Sequence, residues 1–247
     1  MDVERLLTEL LQQGESLDRA ASLADPQAPV PSCPGWTVTA AVQHLTRVHR
    51  RVTAIVRGQD PAAAIEGFRP EPPELAGIYR DGLIGLVQAL REAPDNLQAW
   101  TLWPTDSAKH FWARRQAHET AIHRVDVELA AGYGVADFAP DFAVDGLDEL
   151  VMGMGAGRFS GASLDRPRTI VLTPIDANEA WTVRLGSSGS VPERAPSDHP
   201  DLGVYGLASD LYRWAWNRAD DSEVSLRGEL ALADLWHREF VVRARRG

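Results

Sequence analysis

Four long segments in the first 130 residues repeat their apolar positions with the period of an α-helix, and this limits the fold more than any other feature of the chain. Residues 3–23 carry Val3, Leu6, Leu7, Leu10, Leu11, Leu17, Ala20 and Ala21 on that spacing. A proline-rich connection from Ala24 to Pro31 follows, and Pro34-Gly35-Trp36-Thr37 reads as a turn into a second helix with Thr37 as its N-cap. That helix runs to about Arg57 and ends at Gly58. Residues 59–73 are rich in Pro and Ala and read as a loop. A third helix is predicted over about 74–92, and a fourth from the Thr105-Asp106-Ser107 region to Ala131, stopped by Gly132. Four helices with connecting loops make a bundle.

The second half has a different character. Residues 141–154 read as one more helix, and Gly155-Ala156-Gly157 and Gly161-Ala162-Ser163 then loosen the chain. Thr169–Thr173 and Ala180–Leu185 read as strands, and 186–201 as a Gly-, Ser- and Pro-rich loop. Leu207, Leu211 and Trp214 mark an amphipathic helix ending near Arg218. A strand through Val224 and Leu226, a short helix over 229–236 and a last strand over 238–243 complete the chain. The fold expected is mixed: an all-α four-helix bundle over 1–150, then a small α+β domain over 151–247.

Bulk properties exclude several functions. The net charge of −10 disfavours non-specific binding to nucleic acid or anionic lipid. The basic run Arg243-Ala244-Arg245-Arg246 reads as a short polar tail. No run approaches a membrane-spanning length, and Met1–Arg5 lacks the pattern of a secretory leader. A single cysteine, Cys33, permits no internal disulfide. These features lead to the expectation of a cytoplasmic protein with no nucleic-acid or membrane partner.

Chemistry concentrates in His118-Glu119-Thr120-Ala121-Ile122-His123-Arg124-Val125-Asp126. Glu119 and His123 are spaced i, i+4, about 40° past a full helical turn, so both leave one face of the helix. Phe111, Ile122, Val125 and Leu129 define the apolar stripe, with His118 packed inside it. Arg115, Asp126, Glu119 and His123 occupy a roughly 80° arc on its shoulder. Gln116, Thr120, Arg124 and Glu128 form the expected outer face. On the second helix His44 lies at the edge of the apolar stripe and points inward, whereas His49 is expected at the surface. A Glu–His pair alone is ordinarily a solvated helix pair. With His44 facing it from another helix, the set His44, Glu119 and His123 has the ligand count of a catalytic zinc site with open positions. Fe(II) and Ni(II) accept similar ligands, which leaves the metal open. Asp126 and Arg115 are candidates for orienting those ligands.

The stretch Val30-Pro31-Ser32-Cys33-Pro34-Gly35-Trp36-Thr37-Val38, with His44-Leu45 after it, resembles the N-terminal region of the mycothiol-dependent maleylpyruvate isomerase family. Residues 118–126 resemble that family's second motif. Val204–Leu211, Trp216-Asn217-Arg218 and Arg227-Gly228-Glu229 are similar to its C-terminal pattern, with Glu229 where the family more often has Asp. The resemblance implies a DinB-like metal-binding bundle with a small α+β domain, and zinc ligands at His44, Glu119 and His123. It also implies a role in activity for an arginine that maps onto Arg218. The implied cofactors are zinc, or another divalent metal, and mycothiol. The implied partners are a low-molecular-weight thiol and a small electrophile.

The expected reaction is thiolate addition to the cis double bond of maleylpyruvate, rotation, and expulsion of the thiol to leave fumarylpyruvate. A sibling chemistry, S-transfer, keeps the thiol on the electrophile. A non-enzymatic metal- or ligand-binding protein on the same bundle is the alternative from another class. Cys33, in a proline-flanked turn without a basic neighbour in sequence, reads as inert rather than nucleophilic. Trp36 and Trp112 are candidates to wall the pocket. No Gly-x-Ser-x-Gly, Walker loop or dinucleotide fingerprint is present.

Overall fold

The computed structural model describes residues 1–156 and 164–240. Within them the chain forms two compact units, Met1–Ala136 and Asp137–Gly247.

The first unit contains α1 (Val3–Leu23), α2 (Val38–Val56), α3 (Pro72–Glu92) and α4 (Ala108–Ala131). Local chemistry sets their ends. Asp2, Thr37 and Ser107 each accept a backbone N–H in the first turn of α1, α2 and α4. Pro72 opens α3, and Gly132 ends α4 in the left-handed conformation at φ 74°. Helix α1 packs against α4 and α3, and α2 packs against α3 and α4. The ring order is therefore α1, α4, α2, α3, which sets α2 beside α4. Leu6, Leu7, Leu10, Leu17, Leu45, Tyr79 and Leu86 are fully buried in this unit.

Two expectations about faces are corrected. Helix α4 has no solvent face along most of its length: Gln116, Thr120 and Arg124 are buried, as are its apolar residues from Ala108 to Val127. Arg124 is tied down locally, donating to Glu128 and to the Ala136 carbonyl at 2.8 Å. His49 is fully buried rather than at the surface. It faces Tyr79 of α3, with ring centroids 5.7 Å apart, and its Nε2 lies 3.0 Å from the Thr120 hydroxyl. A helix flanked by two neighbours buries more than one stripe, which a single-stripe reading misses.

The second unit begins with α5 (Pro140–Asp148), which runs on through a π-helical turn at Glu149–Met154. Five strands follow: β1 (Arg168–Pro174), β2 (Trp181–Gly186), β3 (Gly189–Glu193), β4 (Leu202–Gly206) and β5 (Ser225–Gly228). They form one sheet in the order β3-β2-β1-β4-β5, with β1 and β4 parallel and every other pair antiparallel. Helix α6 (Ala208–Ala215) packs on β1 and β4 and against α5, and α7 (Ala231–Glu239) follows β5. Trp181, Trp214 and Trp236 are fully buried here.

The predicted loop over 186–201 contains β3, joined to β2 by the two-residue turn Ser187-Ser188 between Gly186 and Gly189, a composition that hides the pairing. Strand β4 is likewise absent from the sequence reading. Of the last predicted strand, residues 238 and 239 are helical and 241–243 lie outside the described residues, as do the basic tail, Gly157 and Gly161-Ala162-Ser163.

The C-terminal pattern residues are structural ties. Asn217 adopts φ 61° after α6, and its amide donates to the carbonyls of His237 and Phe240. Gly228 sits at φ 115°, where a Cβ would lie 2.1 Å from the Asp201 carbonyl oxygen. Glu229 accepts from Arg166 and Arg168 at 2.8 and 2.9 Å, so its longer carboxylate reaches the start of β1.

Burial drives the His49 pKa from 6.5 down to about 3, against the opposing pull of Glu119. Because the folded value lies below the unfolded one, the unfolded chain takes up the proton first. This contribution to stability is complete above pH 6.5 and is lost as the pH falls toward 3. Urea unfolding between those limits should show a pH slope steeper in the wild type than in His49→Gln, by up to about 1.4 kcal/mol per pH unit. Equal slopes would show that the folded protein already carries a protonated His49.

Candidate metal centre

The adjacency of α2 and α4 brings His44 to Glu119 across 75 residues of sequence, with His44 Nε2 3.2 Å from Glu119 Oε1. His123, one turn along α4, places its Nε2 3.5 Å from the same oxygen. The ligand-capable atoms of His44, Glu119 and His123 all lie within 4.8 Å of one another. These are the three residues singled out from helical geometry. His118, by contrast, is fully buried outside this cluster.

Each remaining polar atom of Glu119 and His123 is engaged from behind. Arg115, a turn before Glu119, donates to Glu119 Oε2 at 3.0 Å. That leaves Oε1 directed at the two imidazoles. His123 Nδ1 lies 2.7 Å from Asp126 Oδ2, which places a proton on Nδ1 and leaves Nε2 on the Glu119 side. Both residues expected to orient the ligands, Arg115 and Asp126, are therefore in contact with them.

Electrostatics suit a cation. Burial disfavours the Glu119 carboxylate, but hydrogen bonds from His123 and His44 and the charge of Arg115 outweigh it and hold its pKa well below the usual range. Burial likewise opposes protonation of His123, yet Asp126 and Glu119 together push its pKa up to about 9. Two carboxylates flanking one imidazole thus favour a positive charge at that position.

The turn before α2 supplies a wall that the helical pattern could not reveal. Trp36 stacks on His123 with centroids 5.8 Å apart and planes 13° apart, and it lies 4.9 Å from His44. Ser32 Oγ donates to Asp126 Oδ1, and the Cys33 thiol lies 3.4 Å from Asp126 Oδ2. Cys33 thus has a carboxylate and, within one cluster, His123 as neighbours, where the sequence offered it no ionisable partner nearby. Ser32 was missed as a contributor; its only sequence signal is membership of the Val30–Val38 run. Trp112 does not join this wall. It is buried, donates to the Trp100 carbonyl at 2.8 Å and packs on Phe111.

Arg218 belongs to the second unit. Its backbone N–H donates to the Arg213 carbonyl at 2.8 Å and its guanidinium to the Trp216 carbonyl at 2.7 Å.

Comparison with known proteins agrees with this architecture. Two solved structures cover 93% of this chain over 95% of their own length, each with a TM-score of 0.65. One is the mycothiol-dependent maleylpyruvate isomerase, 18% identical, and the other a histidine-to-alanine mutant of it, 17% identical. At that identity the likeness is one of fold. No curated protein sequence is significantly similar. Residues 7–128 match the mycothiol maleylpyruvate isomerase N-terminal domain, and residues 141–235 match the C-terminal domain of the same family. With a model for each half of the chain satisfied in order, and with the same two-part fold, the protein belongs to the mycothiol-dependent maleylpyruvate isomerase family.

Proposed function

We propose that this protein is a zinc-dependent, mycothiol-using isomerase that acts on maleylpyruvate or a close structural analogue. The observation that carries the reading is the convergence of His44 Nε2, His123 Nε2 and Glu119 Oε1, with the outer atoms of Glu119 and His123 held by Arg115 and Asp126. Two imidazoles and one carboxylate suit zinc, and a three-residue set leaves positions for other ligands. A zinc ion bound there supplies the Lewis acidity that turns a thiol into its thiolate at neutral pH.

The chain's own residues do the remaining work. Arg115 occupies Glu119 Oε2, so the carboxylate would offer a metal its other oxygen, Oε1. Asp126 fixes the His123 ring, and Trp36 covers its face and excludes water from that side. Cys33 is not the nucleophile in this reading; its thiol is engaged with the Asp126 carboxylate. Arg218 is assigned the substrate carboxylate on the strength of the family resemblance, since a fixed guanidinium suits such a group.

Protein purified without added metal should contain about one zinc per chain by elemental analysis. His44→Ala and Glu119→Ala should lose it while keeping the helical circular dichroism of the wild type. Full zinc retention in both variants would rule out this ligand set.

Turnover of maleylpyruvate should require mycothiol and should vanish in His123→Ala. Arg218→Ala should raise KM for the dicarboxylate by about tenfold or more, the loss expected when a charge-assisted hydrogen bond is removed. A product that retains the thiol would reassign the enzyme to S-transfer. Absence of thiol-dependent turnover across a broad electrophile panel, with zinc bound, would favour a binding protein.

A further inference from the structure

The turn that precedes α2 is built more rigidly than a connection needs to be. Val30 N–H donates to the Trp36 carbonyl at 3.0 Å, Trp36 N–H to the Cys33 carbonyl at 2.9 Å, and Cys33 N–H to the Val30 carbonyl at 3.2 Å. An isolated antiparallel bridge between Pro29 and Thr37 closes its base. Pro29, Pro31 and Pro34 restrict the backbone, and Gly35 supplies the one left-handed residue at φ 83°. Three side chains of this turn reach the centre: Trp36 on the face of His123, and Ser32 and Cys33 on Asp126.

We propose that Ser32 is a positioning residue of the metal centre: its hydroxyl, with the Cys33 thiol as a weaker second donor, orients the Asp126 carboxylate and through it the imidazole of His123. This rests on reading His44, Glu119 and His123 as metal ligands. Asp126 is fully buried, and because the terminal torsion of an aspartate has only a broad preference, a contact to one oxygen leaves the tilt of the carboxylate loosely set. His123 engages Oδ2, and Ser32 engages Oδ1 from 94 residues away. The arrangement is a carboxylate–histidine pair whose carboxylate is itself steered by a hydroxyl on a pinned turn. Cys33 has the chemistry of a donor here, since a hydroxyl in its place could make the same contact.

The test is zinc affinity of the full chain, measured by competition with a chromophoric chelator. Asp126→Asn should weaken zinc binding by about 10- to 100-fold, and Ser32→Ala by about tenfold. The double variant should bind no more weakly than Asp126→Asn, because the serine acts only through that carboxylate. Ser32→Thr and Cys33→Ser, which keep a donor, should bind as the wild type does. Wild-type affinity in Ser32→Ala, or a loss that adds in full to that of Asp126→Asn, would overturn the proposal.

A second readout needs no metal. In chelator-treated protein, the His123 Nδ1 proton seen by nitrogen-edited NMR should exchange with solvent about tenfold faster in Ser32→Ala, the factor expected above for zinc, and be restored in Ser32→Thr. Should the wild type bind no zinc, the ligand reading fails and the metal-centre role with it, while this exchange rate still decides whether Ser32 orients the Asp126–His123 pair; an unchanged rate in Ser32→Ala would overturn that orientation. Should Ser32→Ala fail to fold, Ser32→Gly takes its place in both measurements.

Discussion

The site depends on a line of buried polar contacts along α4, closed by one histidine from α2. Arg115, Glu119, His123 and Asp126 follow one another at intervals of three or four residues, so each touches the next. Charges this well buried are tolerated only when each is answered, and removing one partner strands another. His44 completes the line at Glu119, and Ser32 completes it at Asp126. The ring order of the bundle follows the same need, because α2 must lie beside α4 for His44 to arrive.

That polar line explains why α4 looks weakly amphipathic while being the most enclosed helix of its unit. Its apolar residues fill the core, and its polar residues are spent on the site, on His49 and on the tie from Arg124 to Ala136. Stability of this helix comes from packing on several sides and from satisfied polar groups rather than from one apolar stripe. In the second unit the work is divided differently. Three fully buried tryptophans supply core volume, while Asn217, Gly228 and Glu229 secure the joints between sheet and helices.

Legibility followed the range of the interactions. Helices with caps and breakers, such as Thr37 before α2 and Gly132 after α4, were visible because those signals are local. Glu119 and His123 were visible together because helical periodicity alone aligns them. Strands β3 and β4 were not, since short glycine- and serine-rich strands draw their identity from neighbours in the sheet. His49 was misplaced for a related reason: its burial comes from α3, which the wheel of α2 does not contain.

By itself the sequence determined the four helices, the change to a mixed second half, the family motifs and three residues able to share a cation. These are properties of spacing and residue type, which local backbone geometry converts directly into position. Only the tertiary structure decided that His44 meets Glu119 and that Ser32, Cys33 and Trp36 reach the centre. The contacts made by His44, Ser32 and Cys33 join segments separated by 75 to 94 residues. Their geometry arises from helix packing and a pinned turn, and no local pattern encodes either.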